Sequence, residues 1–168
     1  ATASLFQKRK VVYFTLEMPP EKIATRIDAA LSGVETLKIR DYNTLVQRRL
    51  GTLEKQFGDN IVLERLISGR GKVSTIRDRL EALIMSKFKP EVVILDYINL
   101  MAPEESSGTR HLDLGQIYVD FIGVGQEYNV WPITAAQSNR EGLRAKLITT
   151  AVLADAFSGA MHSHLIIT

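Results

Sequence analysis

Val92-Val93-Ile94-Leu95-Asp96 is a short apolar, mostly β-branched run closed by a carboxylate, and similar runs flank it in the chain. Val11 to Leu16 comes earlier and is followed by Glu17. Trp131 to Ala135 comes later and leads through Ala136 into Gln137-Ser138-Asn139-Arg140. Ile61 to Leu66 is a further run of this kind, and Leu165 to Thr168 reads as a fifth strand. Runs this short, apolar throughout instead of alternating, suit strands covered on both faces, as in a parallel sheet.

The stretches between them carry helical spacing. Pro19-Pro20-Glu21 opens one helix and Gly33 closes it, with Ile23, Ile27, Ala30 and Leu31 as its apolar face. Asn43 or Thr44 caps a second, running to Phe57-Gly58 with Leu45, Leu50 and Leu53 inward. A third is expected from about Ser74 to Phe88 on Ile76, Leu80, Leu83 and Ile84. A fourth is expected from about Leu112 to Tyr128 on Leu114, Ile117, Phe121 and Val124. Strands alternating with helices predict an α/β fold, a mostly parallel sheet flanked by helices. Pro103 to Thr109 is polar and small and looks the most disordered piece.

Composition excludes more than it selects. The 168 residues are 45% hydrophobic and 24% charged, ordinary for a globular domain. A net charge of +2 leaves any basic surface local. With no cysteine, a disulfide framework and a thiolate metal site are both excluded. No apolar run approaches the roughly 20 residues that span a bilayer. The chain starts without methionine and ends on an apolar run, so both ends are expected to be cut.

Ligands of open α/β sheets bind beyond the C-terminal ends of the strands, which singles out Glu17, Asp96 and Gln137. A carboxylate ending an apolar strand suits Mg²⁺, a hard cation that takes oxygen ligands. A second carboxylate can deprotonate an attacking water, and an amide can sense a phosphate oxygen. Each residue alone also fits a plainer role. Asp96 can serve as a turn or cap residue, Glu17 as a charge at a helix N-terminus, and Gln137 as a loop amide. Their ordered recurrence at three strand ends is the stronger signal.

These strings resemble the motifs of DnaB-type replicative helicases. Phe14-Thr15-Leu16-Glu17-Met18-Pro19 looks like that family's second-strand motif, and Val92 through Met101 resembles its Walker B strand. Ile133-Thr134-Ala135-Ala136-Gln137-Ser138-Asn139-Arg140 resembles its third helicase motif, in a form similar to phage members. The Leu114 to Tyr118 and Gly125 to Val130 stretches sit where the family has the helix before that motif. Ala154 through Ile166 resembles the segment after its second DNA-binding loop. The resemblance covers residues 1–168 as one domain and implies a RecA-like P-loop NTPase core. It implies a hexameric ATP-dependent motor on single-stranded DNA, with ATP and Mg²⁺, possible primase and helicase-loader partners, and a cytoplasmic location. By residue it implies Glu17 as general base, Asp96 as the Mg²⁺ carboxylate and Gln137 as γ-phosphate sensor. The loop from Met101 towards Arg110 and the loop from Asn139 to about Thr150 would face DNA, the latter through Arg140, Arg144 and Lys146. Such phosphate contacts weaken with salt; a solvated loop is the plainer reading of those cations.

The departures are specific. No Gly-x-x-x-x-Gly-Lys-Ser/Thr loop occurs in these residues, and Ala1 to Gln7 resembles the remainder of the helix that follows it. Weak or absent ATP binding is therefore expected of residues 1–168 by themselves. Ser68-Gly69-Arg70-Gly71-Lys72-Val73-Ser74 lies between a strand and a helix but lacks the first glycine and has Val73 after Lys72. The family's arginine finger would lie downstream. His162 and His164 could face one way on a strand, yet with no third ligand a surface or partly buried pair is the expectation. Gly123-Val124-Gly125 inside a helix is costly, with no account from the sequence. Two other readings stay open: a RecA-like recombinase or other RecA-fold ATPase, and a truncated non-hydrolysing domain acting in DNA or partner binding.

Overall fold

Hydrophobic pattern and ladder agree in the computed structural model, in which residues 1–135 and Leu165 are described. The strands are β1 (Val11–Thr15), β2 (Ile61–Arg65), β3 (Val92–Asp96) and β4 (Trp131–Thr134). They form one 4-stranded sheet in the order β2-β1-β3-β4, parallel at every pairing. The helices are α1 (Thr2–Phe6), α2 (Pro20–Ser32), α3 (Asn43–Phe57), α4 (Val73–Met85) and α5 (Arg110–Tyr128), with 3-10 turns at Thr36–Lys38, Gly58–Asn60 and Ile98–Leu100.

Side chains alternate across a strand, so the two apolar faces of the sheet build two cores. Val12, Phe14, Val93 and Leu95 meet Ile76 and Leu80 of α4 and Leu114, Ile117, Phe121 and Val124 of α5. On the opposite face Val11 and Val92 meet Leu5 of α1, with Ile27 of α2 packed alongside. Cover on both faces holds for β1 and β3. It fails for β4, where Trp131 and Ile133 stay 76% and 47% exposed, because among the described residues β4 ends the sheet.

Other expectations shift in detail. Along α2, Ala29 is buried where Ala30 was expected, and in α3 Val46, not among the expected inward residues, is buried. Helix α4 ends at Met85, short of Phe88. Lys87 takes a left-handed φ of 67°, the Phe88 amide folds back onto the Leu83 carbonyl at 2.9 Å, and the Phe88 ring packs on the core. That is a helix-ending motif with its hydrophobic contact. Of the run read as a fifth strand only Leu165 is described; it is outside any strand and exposed.

The costly Gly125 has a packing reason. A Cβ there would come within 2.8 Å of the Pro132 ring and 3.2 Å of the Val130 carbonyl, so α5 passes β4 at glycine contact distance. Gly123 has no such constraint, its nearest neighbour for a Cβ being the Arg77 guanidinium at 3.6 Å.

Candidate functional site

The route of the chain creates a crevice at the sheet's centre. From β1 it leaves into α2 on one face, and from β3 it leaves through the Ile98–Leu100 turn towards α5 on the other. Neighbouring strands whose exits diverge open a cleft at their C-terminal ends, where ligands of such sheets sit. The register pairs Thr15 with Asp96, bringing the Glu17 turn and the Asp96 carboxylate to one edge.

Local bonds set each group. Thr15 is fully buried; its hydroxyl donates to the Met18 carbonyl at 2.8 Å and accepts the Met18 amide at 3.1 Å. This closes the turn on which Glu17 stands exposed. Asp96 is half-buried, and the Tyr13 hydroxyl donates to its Oδ2 at 2.7 Å. Burial first, then that bond to Asp96, pushes the Tyr13 hydroxyl far above the usual phenol range, so it remains a donor at any ordinary pH. The peptide after Asp96 is cis. At the end of β4 the Thr134 hydroxyl donates to the Leu95 carbonyl at 2.9 Å and accepts the Ile98 amide at 3.2 Å.

The segment leaving β3 is not the loose piece its composition suggested. Glu104 accepts the Ser74 amide at 2.7 Å and the Ser74 hydroxyl at 3.0 Å, capping α4 from outside that helix. Lys72 donates to the Glu104 carbonyl at 3.0 Å. Asp113, buried, accepts the Ser107 amide at 2.6 Å and the Ser106 hydroxyl at 2.8 Å. Ser107 above all, with Ser106, holds the Asp113 carboxyl below its usual range. Arg110 is exposed at the start of α5, and its guanidinium donates to the Asn99 and Met101 carbonyls. Polar side chains reaching backbone groups thus take over the work of a ladder here.

The Ser68 to Ser74 segment behaves as a structural turn. Gly69 has a φ of 71°, and a Cβ on Gly71 would sit 3.0 Å from Leu66 Cβ. Backbone bonds join it to the segment after β3, Gly69 to Leu100 and Ala102 to Gly71, each at 2.8 Å.

Gln137, Asn139, Arg140, Arg144, Lys146, His162 and His164 lie outside the described residues. Sequence reasoning missed Tyr13, Thr15 and Thr134. A threonine three residues before the residue it bonds is a turn signature and was available. The Tyr13 contact needed the register of β1 against β3.

A depression of about 650 Å³ lies between α2 and α3, lined by residues such as Leu31, Gly33, Arg48 and Leu53. It is away from the strand ends, and the Arg49 guanidinium beside it is tied to the Ser32 carbonyl.

Residues 1–147 match the model of the DnaB-like helicase C-terminal domain. The chain belongs to that family. It is 25% identical over 144 residues to the replicative DNA helicase DnaB of Haemophilus influenzae, covering 82% of this chain and 30% of that protein. Against the DnaB of Pasteurella multocida it is 28% identical over 141 residues, again 82% of this chain and 30% of that protein. A probable replicative DNA helicase of Trieres chinensis is 24% identical over 161 residues, 88% of this chain and 33% of that protein. The chain therefore spans about a third of these relatives. Among solved structures, an ATPase domain superposes with a TM-score of 0.80 at 18% identity, covering 97% of this chain and 60% of that one. A DnaB-like replicative helicase, studied with its primase interactions, superposes at 0.76 and 18% identity, over 92% of this chain and 38% of that one. The fold of this DnaB-family chain is thus the RecA-like α/β ATPase fold. No helix among the described residues is long and apolar enough to cross a membrane.

The residues suit one metal chemistry better than another. Among the described residues no cluster of three acidic or histidine ligands occurs, so these residues by themselves form no all-protein cage. A single half-buried strand-end carboxylate fits Mg²⁺, which keeps several waters and takes one or two carboxylates plus substrate phosphates.

Proposed function

We propose that the chain is part of the ATP-hydrolysing motor of a replicative DNA helicase that moves on single-stranded DNA as a homo-hexamer. The observation that carries the reading is the Thr15–Asp96 register, which sets the Glu17 turn beside Asp96 at the diverging exits of β1 and β3. Glu17, exposed on a turn braced by Thr15, accepts the proton of the attacking water. Asp96 would hold Mg²⁺, whose charge would offset that of the phosphates when bound. Gln137 follows the end of β4 and is assigned to the γ-phosphate. The remainder of the nucleotide grip, a phosphate loop and an arginine finger, is assigned to parts of the protein outside these residues. Hydrolysis between subunits would couple to DNA through the segment ending at Arg110 and the one carrying Asn139, Arg140, Arg144 and Lys146. Arg110 already gives donors to two carbonyls of its own segment, so its part is to brace that segment and offer its remaining donors to phosphate. Primase and a helicase loader are proposed partners on the family's account, and the bacterial or phage-infected host cytoplasm is the proposed location.

Family membership favours this over a recombinase, since fold alone would not separate them. The test is Glu17→Gln in the full-length protein. Hydrolysis is expected to fall by roughly a hundredfold to ten-thousandfold, the range for removing a general base, with nucleotide affinity within about twofold by fluorescence titration. Wild-type turnover in that variant would remove Glu17 from the base role.

A further inference from the structure

We propose that Tyr13 is a positioning residue for the metal-binding carboxylate, its hydroxyl engaging Asp96 Oδ2 so that coordination of the divalent cation falls to Oδ1. This rests on the assignment of Asp96 to Mg²⁺ made above.

The geometry is a consequence of register. Tyr13 pairs with Ile94 and Thr15 with Asp96, and residues two apart on a strand share a face. Tyr13 and Asp96 therefore stand on the same face of adjoining strands, one step apart along the sheet. The phenol ring spans that step and places its hydroxyl 2.7 Å from Oδ2.

As a structural tie the bond is redundant. β1 and β3 are already zipped from Val11 to Thr15, and the ladder continues past that point with the Leu16 amide on the Asp96 carbonyl at 2.9 Å. A phenylalanine would supply the same ring. What the hydroxyl adds is control of the carboxylate torsion, which for an aspartate is broad and roughly two-fold when left alone. That control counts for Mg²⁺ in particular, because its near-ideal octahedral shell tolerates little misdirection and takes few protein oxygens. Groups that orient a metal-binding side chain through a hydrogen bond typically change metal affinity 10- to 100-fold when removed.

The test compares full-length wild type, Tyr13→Phe and Asp96→Asn. Mn²⁺ serves as the spectroscopic probe by electron paramagnetic resonance, in the presence of a non-hydrolysable ATP analogue. Affinity for the analogue in EDTA and the thermal midpoint are measured alongside. Tyr13→Phe is expected to weaken Mn²⁺ binding about tenfold and raise the Mg²⁺ concentration for half-maximal hydrolysis by a similar factor. The metal-free analogue affinity and the thermal midpoint should be unchanged. Wild-type Mn²⁺ affinity in Tyr13→Phe, with loss in Asp96→Asn, overturns the role of Tyr13 and leaves Asp96 standing. Wild-type affinity in both variants overturns the Asp96 assignment and this proposal with it. A loss of metal-free analogue affinity equal to the loss with metal also overturns it, since the effect would then not pass through the cation.

Discussion

The turn after β1 and the segment after β3 leave the same sheet edge, yet they are held in opposite ways. The first is short, and one buried hydroxyl on its own strand, Thr15, closes it before Pro20 starts α2. The second is long and polar, and its anchors sit on other elements: Ser74 on α4 for Glu104, and Asp113 and Arg110 on α5 for Ser106, Ser107 and the Asn99 and Met101 carbonyls. A turn held by its own strand moves only when the strand does. A segment held by separate ties to other elements, side-chain bonds together with the backbone bonds at Gly69 and Gly71, can release one end while the core stays folded. Under the function proposed above, which keeps the Glu17 turn fixed while the segment ending at Arg110 moves against DNA, that would be the useful division.

The largest expected effect tests the first half of the contrast. Phe14 is fully buried beside Thr15 in the central strand, and Phe14→Ala should destabilise the protein by about 3–5 kcal/mol, read from the urea midpoint. The Thr15 turn should lose protection together with the whole core, in one transition by hydrogen exchange. A turn that opens well before the core would break the comparison.

Next in size is a pair of glycines in α5, two residues apart. Gly125→Ala drives a methyl against the rigid Pro132 ring and should cost about 1–3 kcal/mol, the range for overpacking a tight contact. Gly123→Ala meets only the flexible end of Arg77 and should gain up to about 1 kcal/mol from better helix propensity. Equal effects at the two sites would mean that the approach of α5 to β4 does not depend on Gly125.

These glycines show where the sequence was readable. The strands and the four longer helices follow from apolar spacing, because burial writes itself into residue type: Val12, Phe14, Val93 and Leu95 could be placed inside with no knowledge of their neighbours. The placement of Glu17 and Asp96 at neighbouring strand ends was legible for a related reason, since each closes an apolar run. Gly125 was not, because its reason is Pro132, brought alongside only by the fold. The segment from Pro103 to Thr109 was misread for the same cause. Serines and glutamates look loose in a string, and only the tertiary arrangement supplies α4 and α5 as their partners. Tyr13 was counted as one more apolar strand residue, and its polar end acquired meaning only when β3 was in register beside it.

The smallest effect falls on the second half of the contrast. Glu104 supplies from a distance the cap that α4 lacks, as Lys72 at the N-cap position makes no side-chain cap bond. Glu104→Ala should therefore cost about 1 kcal/mol, the usual worth of an N-cap. Glu104→Gln, which keeps an acceptor, should cost about half as much. The sharper readout is local. Amide exchange at Ser74 should speed up in Glu104→Ala, while amides of β1 and the Thr15 turn keep wild-type protection after correction for the small global change. Faster exchange at both places would mean that the two strand ends share one cooperative unit, and the division between a fixed turn and a releasable segment would fail.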